Sequence, residues 1–181
     1  MRWWIPSLAL FMTVAPVGAA DTPSFRNDVM AVLSRAGCNQ GACHGNLNGK
    51  GGFKLSLRGE DADFDRMVLT RDNLGRRTAP HQPDASLLLR KATGVVAHEG
   101  GPRFGRDSLE YTILHDWIAA GCPEDRADLA KITRLEVAPL KKVLVEPESK
   151  LRLSVKGHFS DGSTRDLARL AVFETTAVGI V

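Results

Sequence analysis

The sequence predicts a mainly α N-terminal part followed by an all-β C-terminal part, with an export leader ahead of both. Three observations carry this prediction. Two amphipathic stretches with helical spacing bracket residues 25–121. Beyond residue 132, apolar and polar residues alternate with period two. Residues 1–20 have the build of a signal peptide.

The leader comes first. Arg2 gives it a positive start, and Trp3 to Val17 is apolar apart from Ser7 and Thr13. Gly18-Ala19-Ala20 is a small-residue cleavage stretch, so the mature chain is expected to begin at Asp21 in an exported, periplasmic or cell-surface setting. The apolar run is shorter than the roughly 20 residues of a membrane span. An uncleaved N-terminal anchor is the alternative, and no later segment is apolar enough to cross a bilayer.

A helix should follow, capped by Thr22, with Pro23 in its first turn. Phe25, Val29, Val32, Leu33 and Ala36 share one face, and Gly37 ends it. Five glycines between Gly41 and Gly52 mark a loop. Phe53, Leu55 and Leu57 alternate with polar residues as a short extended arm. Ala62–Thr70 and Ser86–Thr93 read as short helices, and 94–105 as a second glycine-bearing loop. The last helix carries Leu109, Ile113 and Trp117 on one stripe, with Asp107 and Glu110 as a capping box and Gly121 as its stop. Strands are expected at 135–137, 143–145, 151–155, 171–173 and 178–181, with a hairpin turn at Asp161-Gly162. About 50 residues is short for a closed sandwich, which needs nearer 100, so the β part is expected to be a truncated fragment.

Composition narrows the function classes. The chain is 43% hydrophobic and 25% charged, which excludes a disordered chain and a multispan membrane protein. The net charge of +3 is too small and scattered to argue for nucleic acid. Three cysteines make no disulfide framework.

Their spacing carries the chemistry. In Cys38-Asn39-Gln40-Gly41-Ala42-Cys43-His44, two thiols precede an imidazole. In covalent haem attachment the thiols add to the vinyl groups, and the histidine directly after the second cysteine binds iron. The usual spacing is C-x-x-C-H; this segment is two residues longer. A zinc site would need further ligands, from Cys122 or a distant histidine. A Cys38–Cys43 disulfide suits an exported protein but leaves His44 without a role. Neither alternative is closed by the residues alone. Gly45–Lys50 fails as a phosphate loop, and Asp61, Asp63 and Asp65 fail as a calcium loop because Arg66 takes the required glycine position.

The segment Cys38–Gly45, followed by Gly49–Gly59, resembles the cytochrome c-like domain at the front of large exported planctomycete-type proteins. The likeness continues through Gly75-Arg76-Arg77, Ser86–Gly94, His98–Gly101 and Trp117–Gly121. The part from Ile132 onward resembles a bacterial immunoglobulin-like domain of the second group, best at Phe159–Asp166. The resemblance implies a mainly α cytochrome c-like domain at 21–125, a linker at 126–132 and an all-β Ig-like sandwich fragment at 133–181. It implies haem c held through Cys38, Cys43 and His44. The C-x4-C-H spacing is similar to that of the family.

The expected function is electron transfer or a haem-based redox role with a protein redox partner, without substrate turnover by this segment. Two other readings stand beside it: a non-haem surface interaction module working through the β part, and the electron-entry domain of a larger oxidoreductase. His98, between Val95-Val96-Ala97 and Glu99-Gly100-Gly101, is the expected second iron ligand; Met67, His81 and an open site are the alternatives. Met67 is expected in the core, Arg76 and Arg77 on a solvated surface, and Cys122 as an unpaired thiol.

Overall fold

The computed structural model describes residues 22–176, and the predicted leader and the predicted strand at 178–181 lie outside them. A π-helical turn, Phe25–Val29, leads into α1 (Met30–Arg35). Ser24 caps this entry, its hydroxyl accepting from Asn27 N–H at 3.0 Å, the role expected of Thr22. The Asp125 carboxylate accepts from the N–H groups of Phe25 and Arg26 at 2.7 and 2.8 Å. Two amides that no helix could satisfy are thereby tied to the far end of the helical part.

Among the described residues three further α-helices follow: α2 (Ala62–Thr70), α3 (Leu87–Ala92) and α4 (Leu109–Ala119). The predicted Asp107/Glu110 capping box of α4 does not form, and the cap falls one residue later. Ser108 is the cap, accepting from Tyr111 N–H at 3.1 Å, because Asp107 lies one position too early. Phe25, Val29, Val32 and Leu33 pack with Leu114, Trp117 and Ile118 in one cluster that also takes Leu55, Leu69 and Leu89. The Phe25 and Trp117 rings meet at 5.2 Å and 44°, a tilted aromatic pair. The two best amphipathic stretches of the sequence therefore do face each other.

The fold class departs from the expectation of a mainly α cytochrome c-like domain followed by an Ig-like sandwich fragment. Helix makes up only about 30%. Among the described residues the longest helix has 11 residues, and long loops fill the space between helices. The β part is one antiparallel sheet of β1 (Ile132–Ala138), β2 (Ser154–Phe159) and β3 (Thr164–Asp166), in that order. Among the described residues no second sheet packs on it. The predicted strands at 143–145 and 171–173 do not form. Leu140, Val143 and Val145 are 93%, 70% and 69% exposed, so their alternation has no partner to bury against. The predicted hairpin does form: β2 turns into β3 at Asp161-Gly162, with Gly162 at φ 83°.

The sheet touches the helical part directly. Arg165 pairs with buried Asp28, and Leu170 joins the main hydrophobic cluster. Among the described residues no helix is long and apolar enough to cross a membrane.

Ser56 and Asp65 fix the arm at 53–56 against α2. The fully buried Asp65 carboxylate accepts from Ser56 N–H at 2.6 Å and from Ser56 Oγ at 2.8 Å. Burial pushes its pKa up, partly offset by the two Ser56 bonds. A raised carboxyl pKa contributes stability below the ordinary aspartate pKa of about 3.9 and loses it as pH rises through the folded value. Asp65→Ala should cost about 1–3 kcal/mol by orphaning the Ser56 amide. Asp65→Asn should remove the pH-dependent fall; denaturant unfolding from the acid range to neutrality reads both.

Candidate functional site

The site grows out of the end of α1. Gly37, at φ +76°, stops the helix, and Cys38 N–H reaches back to Leu33 carbonyl at 2.8 Å. Two tight turns then absorb the long spacing between the cysteines. Cys43 and Gly45 donate their N–H groups to Gln40 carbonyl at 2.9 and 3.0 Å, and His44 N–H reaches Cys38 carbonyl at 3.0 Å. The Asn46 side-chain amide closes the outside by donating to the carbonyls of Gly41 (3.1 Å) and Cys43 (3.0 Å). Asn39 lies 1% exposed beneath the turn, its amide donating to Ser34 Oγ at 2.8 Å. A Cβ at Gly45 would stand 2.0 Å from Asn39 carbonyl oxygen, so this turn closes only around glycine.

His44 is held twice by the arm that follows. Its carbonyl accepts from Leu55 N–H at 2.8 Å, and its Nδ1 bonds Phe53 carbonyl at 2.8 Å. A carbonyl only accepts, so Nδ1 carries the proton and Nε2 keeps its lone pair. Gly49 permits this approach: a Cβ there would lie 2.1 Å from the same Phe53 oxygen. The His44 and Phe53 rings lie 4.5 Å apart. Burial pushes the His44 pKa down, so the ring is neutral at neutral pH, the form that binds metals. The stability this carries is complete above the ordinary histidine pKa of about 6.5 and is lost as pH falls through the lowered value.

His98 is built the same way on the loop after α3. Its Nδ1 bonds Gly101 carbonyl at 2.9 Å, which again leaves Nε2 with the lone pair. The two imidazole rings are separated by 6.3 Å between centroids and are within 13° of parallel. Two imidazoles whose Nε2 atoms both point at one first-row metal ion, at about 2.0–2.1 Å each, have a centroid separation of this size. Two histidines that each keep an Nε2 lone pair are the donor type a haem iron takes from a protein. Among the described residues no three His, Cys, Asp or Glu side chains gather as an all-protein metal site.

Cys38 and Cys43 are half-buried free thiols. Burial pushes the Cys38 thiol up to about 11, against the opposing charge of Arg103, so it is held protonated.

The other candidates separate cleanly. Met67 is 42% exposed on α2 rather than packed in the core. His81 is exposed. Arg77 is buried, not solvated: it stacks at 4.4 Å on Phe53 and donates to Asp72 Oδ2 at 2.9 Å and Val68 carbonyl at 3.1 Å. Arg76 remains exposed, and Cys122 is a buried free thiol. Sequence reasoning missed the Phe53 carbonyl and Arg103. Backbone acceptors leave no residue signal, and an arginine after a glycine pair reads as surface. Two clefts, of about 820 and 530 Å³, lie away from this site, beside Arg26 and Arg169 respectively.

Comparison of the chain with family models, with characterised proteins and with solved structures gives no match.

Two glycines of the same turn make a matched test. Gly45→Ala should cost about 1–3 kcal/mol or more, because backbone must move to admit the methyl. Gly41→Ala, whose Cβ would meet only Leu57 Cδ1 at 3.9 Å, should stay within about 0.5 kcal/mol of the parent. Equilibrium unfolding of the two variants side by side decides it.

Proposed function

We propose that the Cys38–His44 turn carries covalently attached haem c and that the chain transfers single electrons in an exported compartment. One observation carries the reading: two imidazoles in the same tautomer, nearly parallel and 6.3 Å apart, one of them directly behind a pair of thiols. His44 and His98 would hold the iron, and Cys38 and Cys43 would hold the haem through thioethers. Such attachment would need no oxidant, since thiol addition to a vinyl group places sulfur on one carbon and hydrogen on the other.

Bound haem supplies a one-electron iron couple, whose potential follows axial ligation, burial and hydrogen bonding. The chain's residues set those terms. The carbonyls of Phe53 and Gly101 hold each Nδ1–H, orient each ring and raise the basicity of each Nε2. Arg77, stacked behind Phe53, adds a fixed positive charge that opposes protonation of His44. Ligation by two histidines gives a lower potential than histidine with methionine, since thioether ligation raises it. The redox partner is another protein, and the β part is free to make further surface contacts.

Expressed with haem-maturation machinery, the full chain should keep its haem through acid–acetone extraction and denaturing gels. The Cys38→Ala/Cys43→Ala double variant should lose it. His98→Ala should replace the low-spin six-coordinate signature with a high-spin one in optical and electron paramagnetic resonance spectra. Colourless protein with a Cys38–Cys43 disulfide would replace this reading by that of a non-haem interaction module.

A further inference from the structure

Two loops from distant parts of the sequence must face each other for His44 and His98 to meet, and one side chain joins them. Arg103 Nε donates to Ala36 carbonyl at 2.6 Å, at the end of α1 and two residues before Cys38. Its Nη1 donates to Gly100 carbonyl at 3.2 Å, two residues after His98. Nη2 packs on Gly37, where an added Cβ would stand 2.7 Å away. Its backbone is anchored as well, the N–H reaching Ala92 carbonyl at 2.6 Å at the end of α3. The other polar tie near the pair is Lys50–Glu99 at 3.7 Å, whose side chains are 56% and 84% exposed; such pairs hold little. The planar guanidinium fork spans the two loops with two donors fixed in one plane, a geometry that the flexible stem and rotating ammonium of a lysine do not preset.

We infer that Arg103 is the positioning residue of the site, holding the His98 loop at the end of α1 so that His98 faces His44. The inference rests on the haem reading only where iron is measured. Gly100 serves the same geometry, since a Cβ there would stand 3.0 Å from His98 Cε1.

The test uses the full chain with Arg103→Gln and Arg103→Lys. In the haem-free protein, hydrogen exchange reads the Gly101 amide, which bonds His98 carbonyl at 2.9 Å. Both variants should exchange it faster by about tenfold, with the amides of α4 unchanged. In the haem-loaded protein, both should bind carbon monoxide to ferrous iron faster and lose part of the low-spin signal, because His98 leaves more readily. Lysine keeps the charge without the fork, so a lysine variant that behaves as the parent overturns the positioning role. So does an unchanged Gly101 amide in the glutamine variant, or faster exchange spread evenly over α4. A parent chain that takes up no haem overturns the haem reading alone, and the exchange measurement still decides Arg103.

Discussion

The double attachment of His44 to the arm at 53–55 organises the rest of the molecule. Its carbonyl takes Leu55 N–H, and its Nδ1–H goes to Phe53 carbonyl. Those two bonds set the register of the arm against the cysteine turn. Leu55 is thereby delivered fully buried into the cluster that includes Trp117 and Leu33. Ser56 lands on Asp65 and fixes α2, while Phe53 is placed between His44 and Arg77. Arg77 in turn satisfies Val68 carbonyl near the end of α2. One imidazole therefore connects the candidate cofactor turn to the hydrophobic core and to the second helix. Loss of either bond would release the arm, and with it the ring orientation.

A small domain with long loops has many backbone groups to satisfy without regular structure. Here polar side chains do much of that work. Asp125 closes the first turn of the chain's helical entry, Asn46 closes the cysteine turn, and Arg103 takes two loop carbonyls. Among the described residues, every buried side-chain nitrogen or oxygen has a hydrogen-bond partner. That completeness matters most around Asp65 and Arg77, since an unpartnered buried charge would cost several kcal/mol.

Much of the helical part was legible because its signals are local. Apolar spacing identified the Phe25–Ala36 face and the Trp117 stripe, and Gly37 and Gly121 marked both ends. Cys38, Cys43, His44 and His98 stood out by type and setting, and the fold brings the two histidines together. What failed depended on partners distant in sequence. Alternation at Val143–Val145 resembles a strand, yet extended coil alternates too, and only a neighbouring strand tells them apart. Arg77 reads as solvent-facing by charge, whereas an aromatic face and two carbonyls make its burial favourable. Adjacent Asp107 and Ser108 are both good caps, and the register of α4 against the core chose between them.

The burial of Trp117 gives the molecule an optical signature. Its indole is completely enclosed, beside Phe25, with Nε1 donating to Pro123 carbonyl at 3.3 Å. The other two tryptophans, Trp3 and Trp4, fall in the segment read as an export leader. A chain processed after Ala20 would therefore keep a single fluorophore of this kind, seated at the contact between the first and last helices. In the haem-free chain, where no porphyrin takes up the light by energy transfer, its emission would lie toward the blue while the core is dry and move toward the red as those helices part. Light emitted at one position thus reports on the packing that holds the cysteine turn in place.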